Sequence, residues 1–279
     1  MQTIVIADGL TKEFLGTEQP FAADPANVGS AEIDRLLGRG RAYGEGPLPT
    51  FLQAASAAGD DCRLVLLRGD SPLPEVLEPS VAGAEVIPSV ASVIPWSALW
   101  HAIGVDEGGP AAGEEKGRDH RFVLAGCHTE GRILALATFL RVGLGYTNIA
   151  VSPHLVGSST REAHLAAFRH HFPNAGVSVL LDLAEVAAYA GIESEALAAL
   201  DCGPPTFGPD EMSDALPEAQ RRILELLCLN WTHADLRPLA GGYSGSLLLL
   251  ANGWKGQART EPVVLKVDSF AQMRRELEG

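Results

Sequence analysis

Short apolar runs separated by longer amphipathic stretches dominate the first two thirds of the chain. Ile4-Val5-Ile6-Ala7 runs without interruption into Asp8, and residues 63–67 and 121–125 repeat the pattern, the latter just before Gly126. Residues 147–151 and 177–181 complete a set of five such runs. Between them, residues 48–58, 131–142, 161–171 and 184–190 carry apolar side chains at three- and four-residue spacing, the pattern of helices with one buried face. Uninterrupted apolar strands alternating with helices predict an α/β fold, a parallel sheet with helices on both faces. Ligands in such sheets meet the carboxyl ends of the strands, where Asp8 and the turn 126–132 both fall.

The pattern then changes. Residues 104–118, rich in Gly, Glu, Ala and Pro, read as a mobile surface loop, and 203–209, with three prolines and two glycines, mark a domain boundary. The expected organisation is an α/β domain over 1–192, a linker over 193–216 and a small α+β segment over 217–279. Pro217 suits the first turn of a helix running to about Asn230, with Ile223, Leu226, Leu227 and Trp231 set to pack on the strands that follow.

Charge and cysteines narrow the function classes. The 279 residues carry a net charge of −14, which repels nucleic acid and anionic membranes. No apolar run approaches the ~20 residues of a membrane span, and no basic segment precedes Ile4, so a cytoplasmic protein is expected. Abundant Ala, Gly and Leu with few Lys suit a bacterium of high genomic GC. Cys62, Cys127, Cys202 and Cys228 show no CxxC spacing, and His128 and His154 lack neighbouring ligands, so no metal site is expected. His170-His171 suits a helix C-terminus, and Ser158-Ser159-Thr160 before Glu162 suits a helix start rather than a nucleophile.

The segment Phe122-Val123-Leu124-Ala125-Gly126-Cys127-His128-Thr129-Glu130-Gly131-Arg132 is similar to the strand and Gly-x-x-Thr-Asp-x-Cys motif of the isochorismatase and nicotinamidase family of cysteine hydrolases. Residues 1–192 resemble that family's parallel α/β fold. The resemblance implies three catalytic positions: an aspartate on strand one, a lysine on a middle strand, and a cysteine at a helix N-terminus, where dipole and lysine favour thiolate. Asp8 fills the first. Alignment on Gly126 and Thr129 puts Arg132 at the cysteine position, and the lysine position falls in Ser92-Val93-Ile94-Pro95, which offers Pro95. A guanidinium has no usable lone pair and cannot attack an acyl carbon. Cys127 lies five residues before the expected position. The resemblance thus implies a degenerate site of Asp8, Pro95 and Arg132, with Asp8 and Arg132 meeting at the carboxyl edge of the sheet.

Near the C-terminus, Gly241-Gly242-Tyr243-Ser244-Gly245-Ser246 form a glycine-rich turn where backbone amides can approach phosphate. Val263-Val264-Leu265-Lys266-Val267 reads as a strand with one cation, and Glu276 follows ten residues on in a helical stretch. Residues 237–278 resemble the start of the N-lobe of kinase-like phosphotransferases, in the aminoglycoside phosphotransferase style of spacing. A similar Gly-Gly-Tyr-Ser-Gly pattern occurs in ternary-complex-associated domains of bacterial systems that combine a von Willebrand A-like protein, a MoxR-type ATPase and a variable third component. The resemblance implies that Gly241, Gly242 and Gly245 line a phosphate loop, that Lys266 meets phosphate, and that Glu276 orients Lys266. With only Gly279 beyond, the catalytic carboxylate and metal ligands are expected from elsewhere, so ATP and magnesium belong to a completed kinase-like domain. The expected function is a non-catalytic adaptor in a bacterial NTP-dependent signalling or defence system, with those two proteins as partners. The alternatives are a hydrolase with a rewired site, or the N-terminal part of a phosphotransferase.

Overall fold

The computed structural model describes residues 2–12, 14–15, 30–38, 45–89, 93–104, 120–200, 202–229, 231–239, 246–255 and 257–268. The expected loop 104–118 lies outside them except for Gly104, and Gly241, Gly242, Gly245 and Glu276 lie outside them altogether. The chain divides into two compact units, Met1–Gly203 and Pro204–Gly279.

In the first unit, strands β1 (Thr3–Asp8), β2 (Cys62–Arg68), β3 (Glu85–Pro88), β4 (Arg121–Cys127), β5 (Ile149–Gly157) and β6 (Ser178–Val179) form one sheet in the order β3-β2-β1-β4-β5-β6. Every pairing is parallel. This is the parallel sheet that the apolar runs predict. One strand, β3, is absent from that reading because only Ile87 of its four residues is buried, so it shows no apolar run.

Helices α1 (Ser30–Leu37) and α2 (Pro47–Ala57) connect β1 to β2, and α3 (Trp96–Ala102) follows β3. After β4 comes a continuous helical stretch, α4 (Leu134–Thr138) flanked by the wider turns Thr129–Ile133 and Phe139–Gly143. After β5, α5 (Arg161–Ala166) continues through Ala167–His171 into α6 (Phe172–Asn174), and α7 (Leu183–Ala190) and α8 (Glu195–Ala198) close the unit. Val5, Ala7, Leu64, Leu66, Val123 and Ala125 pack with Leu36 and Leu37 of α1, Phe51 and Leu52 of α2 and Val186 of α7 in one core layer. Ile4, Ile6, Phe122 and Leu124 alternate with these and face the other side of the sheet. The connections from β4 to β5 and β5 to β6 run the opposite way across the sheet from β1 to β2. Right-handed crossover therefore sets their helices on that second face.

The order reverses between β1 and β4, the crevice where such sheets bind ligands. Backbone meets backbone there. A Cβ on Gly126, whose φ is +114°, would lie 1.8 Å from the Asp8 carbonyl oxygen, and one on Gly9 (φ +68°) would lie 2.0 Å from that of Cys127. Beyond this point β5 shifts register, from Leu124 opposite Val151 to Gly126 opposite Val156. Arg35 of α1 caps the irregularity, donating to the Pro153 and Val156 carbonyls.

The second unit contains α9 (Asp210–Ala215) and α10 (Glu218–Leu227) with strands β7 (Thr206–Gly208), β8 (His233–Pro238), β9 (Leu247–Lys255), β10 (Ala258–Arg259) and β11 (Val263–Val267). β9 is central, antiparallel to β8 on one side and to β10 and β11 on the other, while β7 runs parallel to β8. Phe207, Leu224, Ala234, Leu236, Leu249, Ala251 and Val267 form its core, with Leu227 and Trp231 packed against it. Two expectations need correction. Ile223 is 43 % exposed and the fully buried residue of α10 is its neighbour Leu224, although the helix does begin at Pro217, whose carbonyl accepts from the Arg221 N–H. Residues 193–216, read as a linker from their prolines and glycines, hold α8, α9 and β7, and β7 is an integral strand of the second sheet.

Candidate functional site

Asp8 ends β1 and is 1 % exposed. Its Oδ1 accepts a hydrogen bond of 2.8 Å from the Gly9 N–H, and the Arg132 guanidinium grips both oxygens, Nε to Oδ2 at 2.7 Å and a terminal nitrogen to Oδ1 at 2.8 Å. That fork is the strong geometry for an arginine–carboxylate pair. Arg132 reaches it from the first helical turn after β4. Burial pushes the Asp8 carboxyl above its ordinary value, while the hydrogen bonds and positive charge of Arg132, with the Gly9 N–H, pull against that rise.

A third residue completes the contact. The same terminal nitrogen of Arg132 donates to Ser89 Oγ at 3.0 Å, and Ser89 Oγ donates to the Val93 carbonyl at 3.2 Å. Ser89 follows β3 directly and is buried. Pro95 instead precedes α3, where its carbonyl accepts from the Leu99 N–H at 2.9 Å. The residue that meets Arg132 from the end of β3 is Ser89, which the sequence reading did not single out. The sequence offered one usable signal for this, a serine immediately after Val86-Ile87-Pro88.

The turn 127–132 is held from several sides. Cys127 is fully buried and packs in the core layer that contains α1 and α2. The Cys127–His128 peptide is cis, and the His128 ring stands edge-on to Phe14, centroids 4.8 Å apart. Thr129 Oγ1 lies 3.1 Å from His164 Nδ1, and Glu130 accepts from the Ser158 hydroxyl. His154 Nε2 lies 3.0 Å from the Leu181 carbonyl. Burial lowers both histidines, with Arg35 and Arg161 adding to the effect, His154 to about 4 and His164 well below its ordinary 6.5. Both are therefore neutral near pH 7. Ser158 and Ser159 precede α5 and Thr160 caps it, accepting from the Ala163 N–H at 3.1 Å. Among the described residues no cluster of three His, Cys, Asp or Glu side chains could hold a metal ion.

In chemical terms the edge of the first sheet holds a carboxylate already neutralised, a serine already engaged and a thiol turned into the core. In the second unit, Lys266 lies on β11 opposite Leu248 of β9, and Ser246 before β9 donates to Asp268 after β11. The predicted partners of Lys266 fall outside the described residues.

No protein-family model matches the chain, and no curated protein matches it. Solved structures do resemble it. They include a hypothetical protein from Trypanosoma cruzi, at 12 % identity over 71 % of this chain and 90 % of that one, with a TM-score of 0.45. A nicotinamidase from Staphylococcus aureus shares 15 % identity over 64 % of this chain and 99 % of its own, with a TM-score of 0.40. The pyrazinamidase of Pyrococcus horikoshii, solved in complex with zinc, shares 11 % identity at the same coverages and the same TM-score.

Proposed function

We propose that this chain is a non-catalytic adaptor, a hydrolase-like domain that has lost its chemistry and now binds a ligand or partner, joined to a kinase-like segment. One observation carries the first half: the Asp8 carboxylate, the position that a cysteine hydrolase needs as its acid and base, is held in a two-pronged ion pair by Arg132, the position that would bear the nucleophile. A guanidinium neither attacks a carbonyl nor leaves the carboxylate able to take a proton from a substrate.

The antiparallel succession β8, β9, β11, with the glycine-rich segment between β8 and β9 and Lys266 on β11, supports the kinase-like reading of the second unit. In that reading Lys266 would meet a nucleotide phosphate, and ATP with magnesium would require further ligands supplied from outside the segment. The resemblance of the glycine pattern extends the proposal to a bacterial signalling or defence assembly, with a von Willebrand A-like protein and a MoxR-type ATPase as partners.

The test is turnover. Purified chain incubated with amide and vinyl-ether substrates is expected to give background rates, unchanged in Cys127→Ser. Turnover that needs the Cys127 thiol contradicts the proposal. Calorimetry with ATP and magnesium is expected to reveal no submicromolar site, and tight binding lost in Lys266→Met contradicts the reading of an incomplete nucleotide site.

A further inference from the structure

Strands β7 and β8 run parallel, with Thr206 opposite His233 and Gly208 opposite Asp235. Phe207, Ala234 and Leu236 alternate with these into the core of the second unit, so Thr206, His233 and Asp235 share the face turned away from it. On that face the three side chains form a line of hydrogen bonds: Thr206 Oγ1 lies 2.8 Å from His233 Nδ1, and His233 Nε2 lies 3.2 Å from Asp235 Oδ1. A carboxylate only accepts, so the proton of the neutral ring sits on Nε2, and Nδ1 is left to accept from the Thr206 hydroxyl. The ring is held from two more sides. Trp254 packs against it with centroids 5.3 Å apart, and Gly208 makes room beside it, since a Cβ there would lie 3.0 Å from Asp235 Oδ1 and 3.3 Å from His233 Cε1.

A hydroxyl hydrogen-bonded to an imidazole that a carboxylate orients is the arrangement that turns an alcohol into a nucleophile. Neither the Asp8–Arg132 pair nor Lys266 takes part in it. The hydroxyl is also within reach: Thr206 is exposed, and the His233 and Asp235 side chains are 39 % and 43 % exposed. An open face leaves the donor to supply its own activation, and a thioester does so because a thiolate leaves readily. We infer that Thr206 is a site of covalent acylation, which accepts an acyl group from a thioester donor with His233 as the base and Asp235 as the residue that positions it. In this step Thr206 Oγ1 bonds to the acyl carbon while its proton passes to His233 Nδ1. The carbon–sulfur bond then breaks, and the departing thiolate takes that proton. The products are a threonine ester and a free thiol, and the imidazole returns to its neutral form. The inference does not depend on the proposed function, and one acylation per chain is compatible with a chain that turns nothing over.

The test is peptide mapping by mass spectrometry of the intact chain after incubation with S-phenyl thioacetate. Thr206 is expected to be acetylated faster than Thr232 and Thr260, whose hydroxyls donate to the Trp254 and Gly253 carbonyls. Lysines acetylated in the same sample give the reference for donor reactivity. His233→Gln is expected to slow acetylation of Thr206 about a hundredfold or more. Asp235→Asn is expected to slow it about tenfold or more and to move the NMR shifts of the His233 ring nitrogens. Lysine acetylation is expected to stay the same in both. Thr206→Ser keeps the hydroxyl and is expected to be acetylated at the same position, whereas Thr206→Val keeps the shape and is expected to lose the label. Labelling of Thr206 no faster than that of Thr232 and Thr260 in the unaltered chain overturns the inference, whatever the variants do. So does labelling of Thr206 at an unchanged rate in His233→Gln.

Discussion

Arg132 is what keeps a nearly waterless Asp8 tolerable. Removing one member of a buried ion pair leaves the other charge unmatched, whereas removing both leaves only a packing change. Arg132→Met is therefore expected to lower stability by about 3 kcal/mol in urea denaturation. Asp8→Asn combined with Arg132→Met is expected to recover most of that loss. The two histidines behind the site give a second measurable effect. For His154, the folded value near 4 lies below the ordinary 6.5, so between those two pH values the unfolded chain binds a proton that the folded chain refuses. Stability is full above pH 6.5 and falls as pH drops through that window, with His164 acting in the same direction. The loss from His154 is at most about 3 kcal/mol, reduced by its partial exposure. Urea titrations at about pH 7 and about pH 4.5 measure it, and His154→Gln is expected to flatten the difference. Asp8 and Arg132 were legible in the sequence because each sits next to an unmistakable feature, an apolar run or the Gly126 turn. Ser89 was not, since its contact with Arg132 exists only because β2 and β3 lie beside β1.

At the level of elements, the crossing of β1 and β4 depends on the absence of a side chain. Gly126→Ala would drive a methyl group into the Asp8 backbone at a φ that other residues rarely adopt, and is expected to cost more than about 3 kcal/mol. Gly59→Ala is the control. Gly59 also has positive φ but nothing lies within 4 Å of its would-be Cβ, so only the backbone term of about 1 kcal/mol is expected. Thermal unfolding of the two variants separates steric from conformational cost. The buried strands β1, β2 and β4 were readable as runs because both of their faces are covered. By contrast, β3 and β7 were hidden, one with a single buried residue and the other framed by prolines that a sequence reader takes for a linker. Strand β5 reads as ending at Val151 because Ser152, Pro153 and His154 break the run. It continues to Gly157 because the structure absorbs those residues in a register shift braced by Arg35.

For the molecule as a whole, the division at Gly203 predicts two separable unfolding events. A Cβ on Gly253 would lie 2.2 Å from the Trp231 ring, inside the second unit. Gly253→Ala is thus expected to lower the transition of Pro204–Gly279 by roughly 1–3 kcal/mol in calorimetry and to leave that of Met1–Gly203 in place. Gly126→Ala is expected to do the reverse. No helix among the described residues is long and apolar enough to cross a membrane. The alternation of strands and helices was enough to read the first unit's architecture. The exact division was not, because a boundary depends on which core each short element joins, and Phe207 joins the second.

The fork between Arg132 and Asp8 also bears on how this chain can change. Replacing Arg132 with cysteine strands the carboxylate, and replacing Asp8 first strands the guanidinium. Removing either partner alone is thus expected to begin with a loss of stability, about 3 kcal/mol for Arg132, most of which a paired replacement recovers. The ion pair is in this way held in place by the stability of the fold, whatever chemistry the sheet edge performs.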